Sequence, residues 1–233
     1  MAYDALISIQ QLIKDYPMGR SFFRALNEIN LEIESGEFAG LVGPSGSGKT
    51  TLLNIIGSLD VPTKGDAYVL GQSVGSLSSH QSANLRNHHL GFIFQTYNLL
   101  PVYNVFENVE LPLLLLKIGR DERRKLVDQA LEWVGLQDKR KSRPAQLSGG
   151  ECQRVSIARA MVKSPKIVMA DEPTANLDAM NSHNILQTME KLNRDLKTTF
   201  IFATHDDKVI QYLHRKISLN DGKVVGDELI SKQ

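Results

Sequence analysis

Residues 38–56 read FAGLVGPSGSGKTTLLNII, and their order decides the fold. An apolar run, Phe38 to Val42, leads into Gly43-Pro44-Ser45-Gly46-Ser47-Gly48-Lys49-Thr50, and an apolar helical pattern follows through Leu52, Leu53, Ile55 and Ile56. Strand, glycine loop and helix in this order are what a phosphate-binding loop requires. The glycines let backbone N–H groups converge on phosphates, Lys49 neutralises the outer ones, and the Thr50 hydroxyl is placed to ligate Mg²⁺.

Working outward, Ile167 to Ala170 is a second buried-type strand, and it ends in Asp171-Glu172. In an open α/β sheet, functional groups collect just beyond the carboxyl ends of strands. Asp171 is expected in a Mg²⁺ shell and Glu172 as the general base for a water. Leu90 to Phe94 and Phe200 to Ala203 are further strands, ending at Gln95 and at Thr204-His205. Taken alone, Gln95 fits either a Mg²⁺-ligating or water-orienting amide or a plain polar strand end. His205 fits either a hydrogen-bond partner of a terminal phosphate or an ordinary loop histidine.

Leu147 to Val155, LSGGECQRV, is a second phosphate-directed element. Ser148 reads as the N-cap of a helix continuing through Val155, Ile157, Ala158 and Met161, and Gly149 and Gly150 bare its first N–H groups, where the peptide dipoles leave positive charge. Yet the stretch has no lysine to complete a phosphate site. A complete loop already exists at 43–50, so the purpose of a second receiver is the problem this sequence poses.

The remaining chain fills in an α/β frame. Residues 5–15 and 25–33 carry partial alternation, clearest at Ile29, Leu31 and Ile33, and are expected as strands of a small antiparallel sheet. Tyr16 is expected in a polar loop between them, where it reads either as a platform for stacking a base or as a loop aromatic covering a sheet edge. Residues 60–90 mix Gly, Ser and Asn and yield only short strands around Ala67 to Leu70. His80, His88 and His89 lack cysteine or carboxylate partners and read as surface histidines. Val105 to Leu116, Asp121 to Val134 and Glu151 to Val162 have helical periodicity, so residues 96–160 are expected as a helical subdomain inserted between 1–95 and 161–233. The clusters Arg120 to Lys125 and Lys139 to Arg143 read as solvated faces, with contact to anionic headgroups as the alternative. Asn181 to Leu196 is an amphipathic helix, and Ile217 to Leu219 with Val224-Val225, turned by Asp221-Gly222, is a hairpin.

Composition narrows the function. The 233 residues carry a formal net charge of +1, with 42% hydrophobic and 23% charged residues. That balance is ordinary for a globular domain and supplies no basic face for nucleic acid. The one cysteine, Cys152, excludes an intrachain disulfide and fits a reducing compartment; it reads as a surface thiol. No secretory signal is expected, because Met1 to Ile13 lacks a basic region followed by a long apolar run. The most apolar window, Leu111 to Leu116, is interrupted by Pro112 and falls far short of the roughly 20 residues that cross a bilayer.

Taken together, these motifs resemble those of the ATP-binding subunits of ABC transporters, in order and over nearly the whole length: Tyr16, GPSGSGKT (43–50), Gln95, LSGGECQ (147–153), IVMADE (167–172) and His205. The resemblance implies a P-loop ABC-ATPase fold with ATP and Mg²⁺ as ligands. It places Tyr16 against adenine, Thr51 beside Thr50 on the phosphates, and Thr50, Gln95 and Asp171 around the metal. It also resolves the puzzle. In this family two subunits pack head to tail, the LSGG helix of each capping the γ-phosphate held by the other's loop, so that Ser148, Gly149 and Gly150 serve the partner's nucleotide. Hydrolysis of the sandwiched ATP, with Glu172 and His205 orienting water and Lys49 neutralising charge, lets the halves part. Asn176-Leu177-Asp178 matches the loop that runs between the subunits.

A narrower resemblance lies in GSLDVPTKG (57–65), NLRNHHLGFIFQTYNLLP (84–101) and ENVELPLLL (107–115), which are similar to the bacterial lipoprotein-release and macrolide-exporter group. It implies a peripheral subunit on the cytoplasmic face of the inner membrane. Its expected partners are a second copy of itself, a separate membrane permease and an extracytoplasmic adaptor, with no nucleic acid. The cargo would be a lipoprotein, a peptide or a drug-like molecule. The permease would dock near Gln95, where Leu99, Leu100 and Leu113 to Leu116 serve either docking or core packing. A transmembrane switch that regulates cell-wall hydrolases in division is the alternative. The chain departs little from the pattern, with Cys152 after LSGGE and Ala175 where this group often has Gly.

Overall fold

The computed structural model describes residues 5–230. Alternating residues near its start form a long hairpin of β1 (Ile7–Met18) and β2 (Ser21–Ile33), paired from Ile7↔Ile33 to Met18↔Ser21. The alternation is only partial because the register slips between Ile9 and Leu12 and again between Leu12 and Lys14, with Gln11 and Glu28 in the left-handed region. Each bulge shifts the inward face by one residue. Tyr16 therefore does not lie in a loop as expected: the hairpin runs past it, and it stands directly opposite Phe23.

The run 38–42 is β3 (Phe38–Val42), buried at every position, and it feeds α1 (Lys49–Ile56). Next come β4 (Lys64–Val69) and β5 (Gln72–Ser73), which complete a four-stranded antiparallel sheet in the order β2-β1-β4-β5. An unexpected helix, α2 (Ser79–His89), follows, with Leu85 as its one buried residue. So polar a helix has no apolar stripe to betray it; its sequence signal is the Ser78/Gln81 capping box. Among the described residues no cluster of three His, Cys, Asp or Glu is placed to hold an ion.

After β6 (Leu90–Ile93) come three helices, α3 (Val105–Leu115), α4 (Arg120–Trp133) and α5 (Gly149–Met161). They close on one another through Val105, Val109 and Leu113, Val127, Ala130 and Leu131, and Val155 and Ala158. Buried Asn108 ties the turn before α3 by accepting from Leu100 N and donating to the Leu100, Tyr103 and Asn104 carbonyls. The chain then runs through β7 (Ile167–Asp171), α6 (Ala179–Leu196), β8 (Thr199–Thr204), the short α7 (Asp207–Ile210), β9 (Arg215–Asn220) and β10 (Lys223–Leu229).

The second sheet has the order β10-β9-β3-β8-β7-β6, parallel except for β10. The fold is therefore α/β, with a mixed central sheet and a small antiparallel one. Parallel strands covered on both faces read as unbroken apolar runs, which is why β3, β7 and β8 are plain in the sequence. One face packs Phe38, Phe200 and Phe202 toward α3–α6, and the other packs Ala39, Leu41, Ile201 and Ala203 against α1 and the hairpin. The order β3-β8-β7 brings three strand ends together, at Val42, Thr204 and Asp171.

Candidate active site

The loop after β3 is shaped by backbone crowding. A Cβ on Gly43 would lie 2.1 Å from the Leu219 carbonyl oxygen, and one on Gly48 would lie 2.7 Å from that of Ala25, with Gly48 also at φ 99°. Pro44, Ser45 and Gly46 are exposed, while Ser47 is buried and its N–H donates to Pro44 O at 3.2 Å. Gly48 offers no side chain to cap α1, so the helix presents bare N–H groups into the loop. The Lys49 ammonium folds back along the loop, donating to Gly43 O at 2.7 Å and Pro44 O at 2.8 Å. Burial lowers its pKa, against the opposing pull of Glu172 and Asp171.

Across from it, the Thr50 hydroxyl donates to both Asp171 oxygens at 3.2 and 3.3 Å. Burial pushes the Asp171 carboxyl up; the Thr50 bond opposes this, the neighbouring Glu172 adds to it, and Lys49 pulls it back. Glu172 itself has φ 45°, a left-handed backbone costing a non-glycine residue about 1–2 kcal/mol. That conformation turns its carboxylate toward β8, where Oε2 accepts from Thr204 Oγ1 at 3.1 Å and Oε1 lies 2.6 Å from His205 Nδ1. The Glu172 side chain is 17% exposed and His205 62% exposed, so the carboxylate is sheltered behind the ring. Together with Ala175, Asp206, Asp207 and Lys208 they line one open cleft.

Gln95 lies just past β6, at the sheet edge beside β7, and its carbonyl accepts from Asn176 Nδ2 at 2.9 Å. Among the described residues no bond joins its side chain to Thr50 or Asp171. Tyr16 donates its hydroxyl to Asp60 Oδ2 at 2.7 Å. The cleft along the phosphate loop is lined by Phe23, Ala25, Gly46, Gly48, Lys49, Thr50 and Thr51.

The LSGG stretch is set apart from that cleft. Ser148 caps α5 in a reciprocal box with Glu151, Ser148 Oγ accepting from Glu151 N at 3.2 Å and Glu151 Oε2 from Ser148 N at 2.8 Å. Gly149 is exposed, as an anion-receiving position requires, but Gly150 is buried. A Cβ on Gly150 would come within 2.6 Å of Asn181 Oδ1, so this glycine also serves the packing of α5 on α6. Among the described residues no hydrogen bond or ion pair links 147–151 to the phosphate loop. Cys152 is buried rather than a surface thiol: its S–H points at the Pro144 carbonyl, 3.7 Å away, and burial raises its pKa.

The motifs assign no role to four residues to which the structure gives one: Thr204 and Asp60, which hold Glu172 and Tyr16, Phe23 in the cleft, and Gln153. Fully buried in α5, Gln153 donates to Pro173 O at 2.6 Å and accepts from Ser156 Oγ at 2.9 Å, fastening the LSGG helix to the segment just after Glu172. Its sequence signals are its place at the end of LSGGECQ and on the inward face of that helix.

Comparison with known proteins agrees with this geometry. Residues 26–175 match the family described as ABC transporter. The chain is 44% identical to the ABC transporter ATP-binding protein YvrO of Bacillus subtilis, over 96% of this chain and 97% of that one. It is 41% identical to the lipoprotein-releasing system ATP-binding protein LolD of Francisella tularensis, over 95% and 96%. Among solved structures, the dimeric ATP-binding cassette MJ0796 bound to ADP and Pi superposes with a TM-score of 0.89 at 39% identity, covering 97% of this chain and all of the other. With its phosphate loop, strand-end carboxylates and capped LSGG helix arranged on this fold, the chain belongs to the ABC transporter family, as an ATP-binding ATPase subunit.

Proposed function

We propose that the chain acts as a homodimer that closes on two ATP molecules and drives a separate membrane permease. The observation that carries this reading is the α5 N-terminus: a capped, anion-receiving helix end standing outside the cleft formed by its own phosphate loop. A second copy supplies the missing loop, and the dimeric MJ0796 cassette supports that arrangement.

In each site Lys49 and the bare N–H groups of α1 hold the phosphates. The Thr50 hydroxyl and the Asp171 carboxylate are hard oxygen donors of the kind Mg²⁺ takes, and with Gln95 they would hold that ion. When bound it neutralises charge on the phosphate oxygens. Glu172, oriented by Thr204 and His205, accepts a proton from the water that attacks the γ-phosphorus, and ADP leaves with its β-oxygen freed. Glu172→Gln should cut turnover by about 10²- to 10⁴-fold and accumulate an ATP-bound dimer in size-exclusion chromatography. A monomer under those conditions overturns the sandwich.

The permease surface proposed is the groove of Phe92, Phe94, Leu111, Pro112 and Leu115. Leu100, Val102, Tyr103, Leu114 and Leu115 are exposed, whereas Leu113 belongs to the core and Leu99 packs against it. Residues 96–160 would move as one helical subdomain under the permease. Bound to that permease, the chain would be a peripheral subunit on the cytoplasmic face of the inner membrane; among the described residues no helix is long and apolar enough to cross a membrane. The likeness to LolD supports export or extraction of a lipoprotein-like cargo, with an extracytoplasmic adaptor completing the assembly.

A further inference from the structure

Where α3 ends and α4 begins, apolar and cationic side chains share one exposed corner. Leu114 and Leu115 are 45% and 61% exposed, which leaves two neighbouring leucines in water. Leu115 lies four residues after Leu111 and continues the wall of the groove that holds Phe92 and Phe94. Leu114 lies four residues after Glu110, on the side of α3 that borders a second cavity. Four arginines line that cavity: Arg120, Arg123, Arg124 and Arg140. Two of them are neutralised, Arg123 by Glu110 at 2.7 Å and Arg140 by Asp128 at 2.5 Å. Glu107 is committed to the α3 cap, where its Oε2 accepts from Asn104 N at 2.8 Å. Among the described residues no side-chain hydrogen bond or ion pair engages Arg120 or Arg124, one turn apart on α4, or the exposed Lys117 and Lys125. Residues 117–125 carry five cations against two carboxylates, Asp121 and Glu122, so the corner is basic in a chain that is almost neutral.

We propose that this corner rests on an anionic bilayer surface, with Leu114 and Leu115 entering the headgroup layer and Lys117, Arg120, Arg124 and Lys125 binding lipid phosphates. The chemistry fits lipid better than a protein partner. An unengaged guanidinium keeps its donors for phosphate oxygens, and a fixed protein interface would call for paired, ordered side chains where this corner has four free ones. Long cationic side chains carry their heads past an apolar patch, so leucines and charges settle at different depths of one interface. The negative potential of a leaflet rich in anionic lipid attracts each such cation, and the gains accumulate. The contact needs neither nucleotide nor the groove's occupant, so it stands independently of the permease reading. Its effect would be to hold the adjoining groove at the membrane surface.

The test sediments the isolated chain, without any permease, with phosphatidylcholine vesicles containing about 30% phosphatidylglycerol and with pure phosphatidylcholine vesicles at low ionic strength. The chain should bind the anionic vesicles alone and be released at about 1 M salt, where surface charges are screened. Arg120→Gln with Arg124→Gln should weaken binding about 25-fold, roughly fivefold for each lost cation. Leu114→Ser should weaken it at unchanged charge. Lys191→Gln with Arg194→Gln, exposed on α6, removes the same charge elsewhere and should leave binding within about twofold. All these side chains are exposed and outside the nucleotide site, so thermal melts and ATPase rates should match the unsubstituted chain. Equal binding to both vesicle types, or an equal loss in the α6 control, overturns the proposal. Failure to bind either vesicle overturns it as well and assigns the corner to a protein partner.

Discussion

Asp171 and Glu172 are adjacent carboxylates made different by their surroundings. Glu172 is held by Thr204 at the end of β8 and by His205 just beyond it, whereas Asp171 is pushed by burial toward its neutral form and has the Thr50 hydroxyl as its compensation. A carboxyl whose folded pKa is raised binds its proton more tightly in the folded chain than in the unfolded one. That contribution to stability is present below the ordinary value of 3.8 and is lost as pH climbs through the raised value. At neutral pH the ionised carboxylate therefore costs stability, and Asp171→Asn should raise the melting temperature of the nucleotide-free chain while abolishing Mg²⁺-dependent turnover. Calorimetry at pH 7 and pH 4 checks the sign: the gain should shrink at the lower pH. Lys49, Thr50, Asp171 and Glu172 are legible in the sequence because each follows a recognisable strand. The left-handed turn at Glu172 and the hydroxyl of Thr204 behind it are not, since neither a dihedral angle nor a cross-strand neighbour is written in local spacing.

Helix α5 illustrates what an element adds. The Ser148 oxygen accepts from Glu151 N, and its hydroxyl proton remains available to a phosphate, so one side chain starts the helix and, in the proposed dimer, would also face the partner's nucleotide. Two substitutions separate these duties. Ser148→Ala should lose about 1 kcal/mol of unfolding free energy with the cap. Ser148→Asp keeps a good cap and should fold as stably, yet a carboxylate pointed at the γ-phosphate should abolish ATP-dependent dimerisation by sedimentation analysis. Legibility at this scale follows burial. Strands β3, β7 and β8 announce themselves because both of their faces are covered. Helix α2 goes unnoticed because it buries only Leu85, and the reading of β1 stops short of Met18 because bulges break its alternation. Leu113 and Leu114 look alike as letters, and only the packing of α3 sends one inward and leaves the other exposed.

For the molecule as a whole, a site shared between two copies makes a countable prediction. A Lys49→Ala chain lacks a working loop, and a Ser148→Arg chain lacks a working receiver; their heterodimer restores one complete site out of two. If chains pair at random, half the dimers are mixed, and an equimolar mixture of the two inactive proteins should recover up to about one quarter of the original ATPase rate. No recovery would mean that a single site cannot fire alone. The buried amide of Gln153 bears on that outcome. It fastens the LSGG helix, which the proposed dimer turns toward its partner, onto the segment that follows Glu172 in the same chain. Breaking such a bond inside the core costs about 1–3 kcal/mol, so the two ends travel together. In the proposed dimer, a displacement of the segment after Glu172 would therefore carry through the chain's own interior to the helix end that meets the partner.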